Sequence, residues 1–266
     1  MIGALFSFMN KICSNKRVAT SFKAFAIHFA LSCCVAFLIA ALVFFFWFPF
    51  PYGQLVGAAQ LFFLIVAVDL VCGPLLTGIV FNSKKSKREL KFDVSIIVLL
   101  QIAALAYGMT ALWQSRPVYL VFEVDRLKVV TYADIKREDL NPALNELHRI
   151  PWSGVRLIGA RESVGAEVLD SLDMSFQGYD PSARPNWWVE YSTMVETVKS
   201  RAHPISELIA KRPSQENLIR EELRKINCSE EDLLWLPLTS YKTLDWVALI
   251  DKVNMRPVSY IHVDGF

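Results

Sequence analysis

Three long runs of apolar residues occupy most of the first 114 positions of the chain. They cover about residues 24–48, 55–81 and 94–114, and each reaches the ~20 residues that a helix needs to cross a bilayer. The first run is longer than the ~7–15-residue apolar core of a secretory signal, so we expect a helix that is retained. The pattern predicts a three-helix transmembrane domain over residues 22–114, embedded in the lipid bilayer.

The second run contains the one charged residue of the three runs, Asp69, which is followed by Gly73 and Pro74. An ionisable side chain at mid-membrane costs roughly 2.5–3.5 kcal/mol on insertion scales and normally faces protein or water. Pro74 lacks a backbone N–H, so we expect the helix to bend there. These three residues predict a helix-packing or partner-binding site. The alternative is that Asp69 pairs within the bundle with His28, Gln101 or a threonine; His28 itself is expected either at headgroup level or as a buried partner of another helix.

Beyond position 114 the long runs give way to short segments in which apolar and polar residues alternate. In residues 118–124 the alternation has a period of two, which is typical of a half-buried strand. Predicted strands cover 118–124, 127–132, 155–160, 235–238, 246–250 and 258–263, and predicted helices cover 141–148, 163–176, 193–201, 204–211 and 214–226. Strands at both ends with helices between them predict one α+β domain, residues 115–266, whose first and last strands share a sheet.

Charge and hydropathy give this arrangement an orientation. The chain is 53% hydrophobic with a mean hydropathy of +0.33, which is typical of an integral membrane protein. Residues 1–114 hold 9 Lys and Arg against 3 Asp and Glu, whereas residues 115–266 hold 19 against 23. The N-terminal tail, residues 1–21, and the loop 82–93 are basic, but the loop 48–54 is uncharged.

The positive-inside rule places the basic tail and the basic loop in the cytoplasm. Three spans then place residues 115–266 in the periplasm of a Gram-negative cell. The predicted fold class is an α-helical protein of the inner membrane with three transmembrane helices plus a periplasmic α+β domain.

The chain carries no sequence motif of known catalytic chemistry, such as G-x-S-x-G, H-E-x-x-H or a P-loop. The histidines of the α+β domain are far apart, and the five cysteines form no C-x-x-C pair. Glu123 and Asp125 share a strand face, but we expect a solvated strand end there. We predict no catalytic residue, no cofactor and no metal, and the acidic α+β domain argues against nucleic acid as a partner.

Trp187 and Trp188 stand side by side in a turn-rich segment, residues 179–188. Two adjacent indoles are an unusual pair for a loop. We expect them to anchor the core or an interface with a partner rather than to form a ligand cage.

Four stretches of the chain are long and unusual in combination. They are VDLVCGPLLTGIVF at 68–81, ELKFDVSIIVLLQIAALAYG at 89–108, RPVYLVFEVDRLKVV at 116–130 and PWSGVRLIGAR at 151–161. Together they resemble the pilin accessory proteins of type IV pilus systems, the TfpX/TfpZ family, from about residue 20 to the end of the chain. The resemblance implies an inner-membrane helper of pilus biogenesis that is paired with a particular pilin. It carries over no catalytic residue.

We interpret the chain as a non-enzymatic, chaperone-like accessory protein that binds or stabilises a cognate type IV pilin and promotes its assembly. Pilus assembly platform proteins are further expected partners. One alternative is a membrane-anchored enzyme that acts on pilin or envelope glycan, which a cleft with converging polar groups would favour. Another is a regulatory subunit of the pilus machine that recruits a cytoplasmic partner through the loop 82–93.

The predicted topology is tested by reporter fusions. Alkaline phosphatase depends on disulfides and is therefore active only after export to an oxidising compartment. Fused after Phe266 it should be active in a Gram-negative host, whereas fused at Ser86 it should be inactive. The reverse pattern would contradict both the orientation and a periplasmic α+β domain.

Overall fold

A computed structural model describes residues 16–81, 85–142 and 145–266. The first fifteen residues of the predicted tail, which include Cys13, lie outside the described residues, as do residues 82–84 of the basic loop. The chain divides into two compact units. Of the described residues, a helical unit contains 16–44, 59–81 and 85–113, and a sheet unit contains 45–58, 114–142 and 145–266.

The helical unit is built from three long helices. They are α1, Lys16–Leu42, which continues as a π-helical turn at Val43–Trp47; α3, Ala58–Val80; and α4, Lys87–Ser115. A short helix, α2, Tyr52–Leu55, lies between α1 and α3 in the sequence and belongs to the sheet unit. Within the described residues, three helices are long and apolar enough to cross a membrane, which confirms the prediction of three spans.

The third helix begins seven residues earlier than the apolar run predicts, at Lys87 rather than 94. The reason is a reciprocal cap at its start. The backbone N–H of Glu89 donates to the Ser86 hydroxyl at 3.2 Å, and the backbone N–H of Ser86 donates to the Glu89 carboxylate at 3.0 Å. Much of the predicted basic loop therefore belongs to the first turns of α4.

Glycines mark the places where α3 and α4 approach closely. A Cβ atom added at Gly73 would lie 1.9 Å from Gln101 Nε2, and one added at Gly108 would lie 2.5 Å from Ile65 Cγ2. Small residues at such crossings let helix backbones pack closely in lipid, where no hydrophobic driving force acts between helices. Pro74 does not end the helix, because α3 runs through this residue without interruption, and the expected bend there stays a prediction. A proline removes one backbone hydrogen bond from a membrane helix. Neighbouring helices can supply a new partner for the backbone group that this leaves free.

The sheet unit contains one mixed sheet of eight strands. They are β1, Pro117–Glu123; β2, Arg126–Thr131; β3, Arg156–Ala160; β4, Trp188–Glu190; β5, His203–Pro204; β6, Leu233–Thr239; β7, Trp246–Asp251; and β8, Pro257–Ile261. Their order is β4-β3-β1-β2-β6-β7-β8, with β5 paired to β6. The prediction that the first and last strands share a sheet is confirmed. The short strands β4 and β5 were not predicted.

The first strand is buried along its whole length, not on one face as its alternating pattern predicts. It is a central strand, paired antiparallel with β2 and parallel with β3. Tyr119 and Val121 lie in one core cluster, while Leu120 and Phe122 on the opposite face are also buried. The side chains on both faces are apolar. Alternate positions therefore differ too little in hydropathy to show which face, if either, is exposed to solvent.

Four short helices complete the sheet unit. They are α5, Glu167–Phe176; α6, Val195–Arg201; α7, Ile205–Lys211; and α8, Glu216–Lys225. Helices α7 and α8 pack Ile205 and Ile219 against a core cluster that includes Trp235 of β6. Leu218, the neighbour of Ile219 on α8, is 41% exposed.

The connection between α1 and α3 forms part of the sheet unit. The Ser240 hydroxyl donates to the Leu55 carbonyl at 2.6 Å, and the Tyr241 hydroxyl donates to the Val56 carbonyl at 2.8 Å. The hydroxyls of Tyr52 and Tyr260 lie 2.8 Å apart, and burial raises the pKa of both phenols. We call residues 45–58 the docked segment. Its apolar, uncharged sequence gave no indication of this contact.

Replacing Ser240 tests the attachment of the docked segment. Ser240→Ala leaves the Leu55 carbonyl without its donor, and an unsatisfied buried group costs about 1–3 kcal/mol. We expect a lower free energy of unfolding and a lower melting temperature of the full-length protein in detergent. The matched control is Ser200→Ala, which removes an exposed hydroxyl bonded only within α6. Equal melting temperatures for the two variants would contradict the predicted contribution of the docked segment.

Candidate functional site

The helical unit contains a groove of about 520 Å³ that is lined by residues of all three long helices. Most of its lining is aliphatic, for example Val35 on α1, Val66 on α3 and Leu105 on α4. Five polar residues of the described chain stand out against this apolar surface: His28, Ser32, Asp69, Thr77 and Gln101. The groove therefore brings together three of the polar residues that sequence analysis singled out.

Three of these five polar side chains are occupied by bonds between helices. His28 Nδ1 lies 2.6 Å from the Thr77 hydroxyl, and the Gln101 amide donates to the backbone carbonyl of Asp69 at 3.2 Å. The interpretation of His28 as a partner of another helix is thus confirmed. Gln101 contacts the Asp69 backbone, not its carboxyl group. Within the described part of the chain, the Asp69 carboxyl group has no hydrogen-bond or ion-pair partner.

The two adjacent tryptophans have different environments. Trp188 is only 3% exposed, packs against Tyr119 with a ring separation of 4.6 Å, and donates its indole N–H to the Ser182 carbonyl at 2.8 Å. Trp187 is half-buried, and its ring lies 4.5 Å from the guanidinium of Arg161 and 4.7 Å from that of Arg184. Trp188 is a core residue, whereas Trp187 lies at the surface between two cations.

The sheet unit has a cleft of about 610 Å³ between α5 and the turn that joins β1 to β2. Charged groups line it, and they are paired with one another or with the backbone. Lys128 forms an ion pair with Asp180, and Glu123 accepts a hydrogen bond from the Ser182 backbone N–H at 2.9 Å. Among the described residues that line the cleft, none is a histidine or a cysteine.

Glu123 differs from its prediction as a solvated residue, because it is only 8% exposed. Its bond to the Ser182 backbone gives it a structural role, and Asp125 pairs with its neighbour Arg126 at 2.7 Å. The histidines are also used structurally: His148 Nδ1 accepts from the Asn141 N–H at 2.8 Å, and His262 lies 2.7 Å from Asp245. Within the described residues, no group of three or more His, Cys, Asp and Glu side chains is placed to hold a metal ion.

Helix α5 is attached to the sheet unit by its polar side. Arg184 is 4% exposed, and its guanidinium donates to the hydroxyl and carbonyl of Ser171, to the Ser175 hydroxyl and to the Tyr179 carbonyl. The distances from Arg184 to the Ser171 hydroxyl and carbonyl are 3.0 and 2.9 Å. A surface helix normally turns its apolar side to the core, whereas the buried residue of α5 is Ser171 and both its apolar and its charged residues are exposed.

The apolar residues of α5 are consequently exposed. Val168, Leu169, Leu172 and Phe176 are 40%, 75%, 52% and 88% exposed, and they occupy a continuous arc of the helix. We call these four residues the α5 face. Contiguous exposed apolar surface on a folded protein marks a site of interaction. The sequence predicts the helix but not which side faces outward, because that depends on a buried arginine from another segment.

Comparison with known proteins gives consistent matches. The sequence profile of a family described as "Fimbrial assembly protein FimB" matches residues 16–57. The chain is 37% identical over 260 residues to the fimbrial assembly protein of serogroup I of Dichelobacter nodosus, covering 97% of this chain and 99% of that one. It is 36% identical to the serogroup E1 protein of the same organism over the same share of each chain. No solved structure matches.

The role of Arg184 leads to a prediction about α5. Arg184→Met removes the donors that hold the polar side of the helix but keeps a long side chain. We expect hydrogen exchange of the amides in residues 167–176 to become about tenfold faster or more, because local opening then costs less free energy. Amides of β1 should keep their protection.

The control for this prediction is Arg220→Met, which removes an exposed guanidinium from α8 that pairs only with nearby carboxylates. It should leave exchange in residues 167–176 unchanged. Wild-type exchange of these amides in Arg184→Met would contradict the proposed attachment.

Proposed function

Since this chain belongs to the family of fimbrial assembly proteins, we propose that it acts in type IV fimbrial biogenesis by binding a fimbrial subunit, or pilin, and promoting its assembly. The observation that carries the proposal is similarity along nearly the whole chain to relatives that bear this name. We further propose that it acts by binding and not by catalysis. The narrower resemblance to the TfpX/TfpZ family remains a prediction.

Before assembly, a fimbrial subunit in the membrane exposes two surfaces that a binding partner can cover. Its long apolar helix lies in lipid, and its head domain lies in the adjacent aqueous compartment. The groove of the helical unit and the α5 face of the sheet unit offer one surface for each. Two linked contacts can both be weak and still hold a partner, because linking raises the effective concentration at the second site.

In this proposal the groove residue Asp69 receives the subunit's helix, and Gly73 and Pro74, which are buried and lie outside the groove lining, support α3 from within the bundle. Trp187 and the serines of α5 contact the same guanidinium, that of Arg184. Trp188 supports this region from the core. We propose that the sheet unit lies in the periplasm and the N-terminal tail in the cytoplasm, with the helices in the inner membrane. Proteins of the assembly platform are the expected recipients of the subunit.

One observation favours an enzyme as the second candidate function. The cleft of the sheet unit contains converging charged groups, which is the feature that distinguishes an enzyme from a binding protein. The described lining argues for binding, because it lacks a histidine or cysteine and its Lys128 and Glu123 are engaged in structural bonds. The relatives are likewise named for assembly.

The proposal is tested by photocrosslinking in cells that also express the cognate fimbrial subunit. A photoreactive residue at Ile102 in the groove on α4 or at Leu169 on α5, which are 59% and 75% exposed, should give adducts with the subunit. The matched control is Val253, an apolar residue of the β7–β8 turn that is 93% exposed and should give none. Deletion of the gene should reduce the number of surface fimbriae.

Each outcome has a defined meaning. If adducts from Ile102 and Leu169 contain another fimbrial component and never the subunit, the subunit-binding proposal is wrong. A regulatory subunit that acts on that component then takes its place. Equal adducts from Val253 would show that the α5 face is not selective.

A further inference from the structure

We propose that residues 149–154 of the sheet unit form a membrane anchor, in which the indole of Trp152 lies at the boundary between lipid headgroups and acyl chains. We call these residues the anchor loop. Its partner is the surface of the lipid bilayer. The inference rests on the transmembrane spans and not on the proposed function, because no fimbrial subunit takes part in it.

The anchor loop presents a large aromatic side chain to the outside. Trp152 is 56% exposed, and its ring centroid lies 6.2 Å from that of Phe46, which is 52% exposed. Arg149 and Ser153 of the same loop are exposed polar residues. Tryptophan is enriched where membrane meets water, because its ring is apolar and its N–H is polar. The loop thus combines the side chains that suit a headgroup layer.

Three hydrogen bonds hold the anchor loop at two positions of the chain. The guanidinium of Arg116 donates to the carbonyls of Pro151 and Trp152 at 2.6 and 3.2 Å. The backbone N–H of Gly154 donates to the Phe46 carbonyl at 3.2 Å. Gly154 has a φ of +72°, a left-handed conformation that glycine adopts without strain. The loop is therefore fixed beside Phe46 and Arg116.

Both of these positions are ends of transmembrane spans. The first span, Ala19–Trp47, ends one residue after Phe46. The third span, Lys87–Ser115, ends immediately before Arg116. The 22 residues between Asp93 and Arg116 carry no charge. As a helix they extend ~33 Å, which matches a hydrocarbon core of about 30 Å and places Arg116 at its boundary.

The docked segment supports the same location. Its residues 48–57 join the end of the first span to the start of the second, so they stay close to the bilayer surface. They carry no charge, and Phe50 among them is 71% exposed. Lipid is present beside a span end in every molecule. It therefore covers the exposed rings of Phe50 and Trp152 without the need for a protein partner.

The anchor loop adds a non-covalent contact to the covalent links between the sheet unit and the spans. One interfacial indole binds a bilayer weakly. Here the spans keep the loop close to the lipid, so its effective concentration is high and a weak contact is sufficient. The anchor determines which part of the sheet unit's surface faces the bilayer.

The test measures where the native indole lies. Full-length protein is placed in nanodiscs made of ordinary lipid or of lipid brominated near the headgroup end of its acyl chains, because bromine quenches tryptophan fluorescence on contact. Subtracting the emission of Trp152→Phe from that of the wild type isolates the emission of Trp152. We expect brominated lipid to lower this emission about twofold or more, since indoles favour the interface, and aqueous iodide to lower it only weakly.

The matched control is Trp187→Phe, which removes a half-buried tryptophan at the surface of the same unit. The emission of Trp187, isolated in the same way, should respond to iodide and not to brominated lipid. Both variants keep an aromatic ring, and melting temperatures equal to that of the wild type exclude a folding defect. Quenching of Trp152 by iodide alone, or equal quenching of both tryptophans by brominated lipid, would overturn the proposal.

A second measurement identifies the molecule that covers the anchor loop, and it decides alone if Trp152→Phe is unstable. A photoreactive phenylalanine derivative replaces Trp152 in cells, and the mass of its adducts is determined. Lipid adducts at this position, with few from the exposed control Val253, support the anchor. Adducts with a protein in place of lipid would overturn it. Crosslinking from Leu169 tests binding of the fimbrial subunit separately.

Discussion

Two hydroxyl groups, those of Ser240 and Tyr241, hold the connection between α1 and α3 onto the sheet unit. The constraint behind this is that backbone carbonyls cannot be buried without a donor, and α2 is too short to satisfy those of Leu55 and Val56 within itself. Both ends of the docked segment continue covalently into long apolar helices. The family profile covers residues 16–57, which is α1 together with nearly all of the docked segment.

The same requirement to satisfy polar groups explains the two unusual surfaces. In the sheet unit, Arg184 is buried and needs several acceptors, and α5 provides them through Ser171 and Ser175. Because the serines face inward, the apolar residues of that helix face outward. In the helical unit most polar side chains find partners across helices, but the carboxyl group of Asp69 does not. In each unit, the local hydrogen-bonding pattern leaves a group of side chains without a partner among the described residues of that unit. Each of these surfaces is therefore available for another molecule.

Long-range patterns in the sequence were sufficient to predict the spans, most of the strands and the α+β character of the second unit. Features set by one or two residues were harder to predict. The early start of α4 depends on the pair Ser86 and Glu89, and a search for capping boxes would have found it. Burial of β1 on both faces, the inward side of α5 and the docked segment depend on contacts between distant parts of the chain. No local pattern encodes them, which is why Glu123 was predicted to be solvated.

The division of the sheet unit into two pieces of chain affects how these proteins can be recombined. One residue, Arg116, separates α4 from β1, and the sheet unit also includes residues 45–58, which lie before the second and third long helices in the sequence. A hybrid of two relatives that is joined only near residue 114 would pair the sheet of one parent with the docked segment of the other. A hybrid protein thus has a matched sheet unit only if it inherits residues 45–58 and the chain beyond residue 114 from the same parent. A crossover between these two segments joins surfaces that were not selected to fit each other.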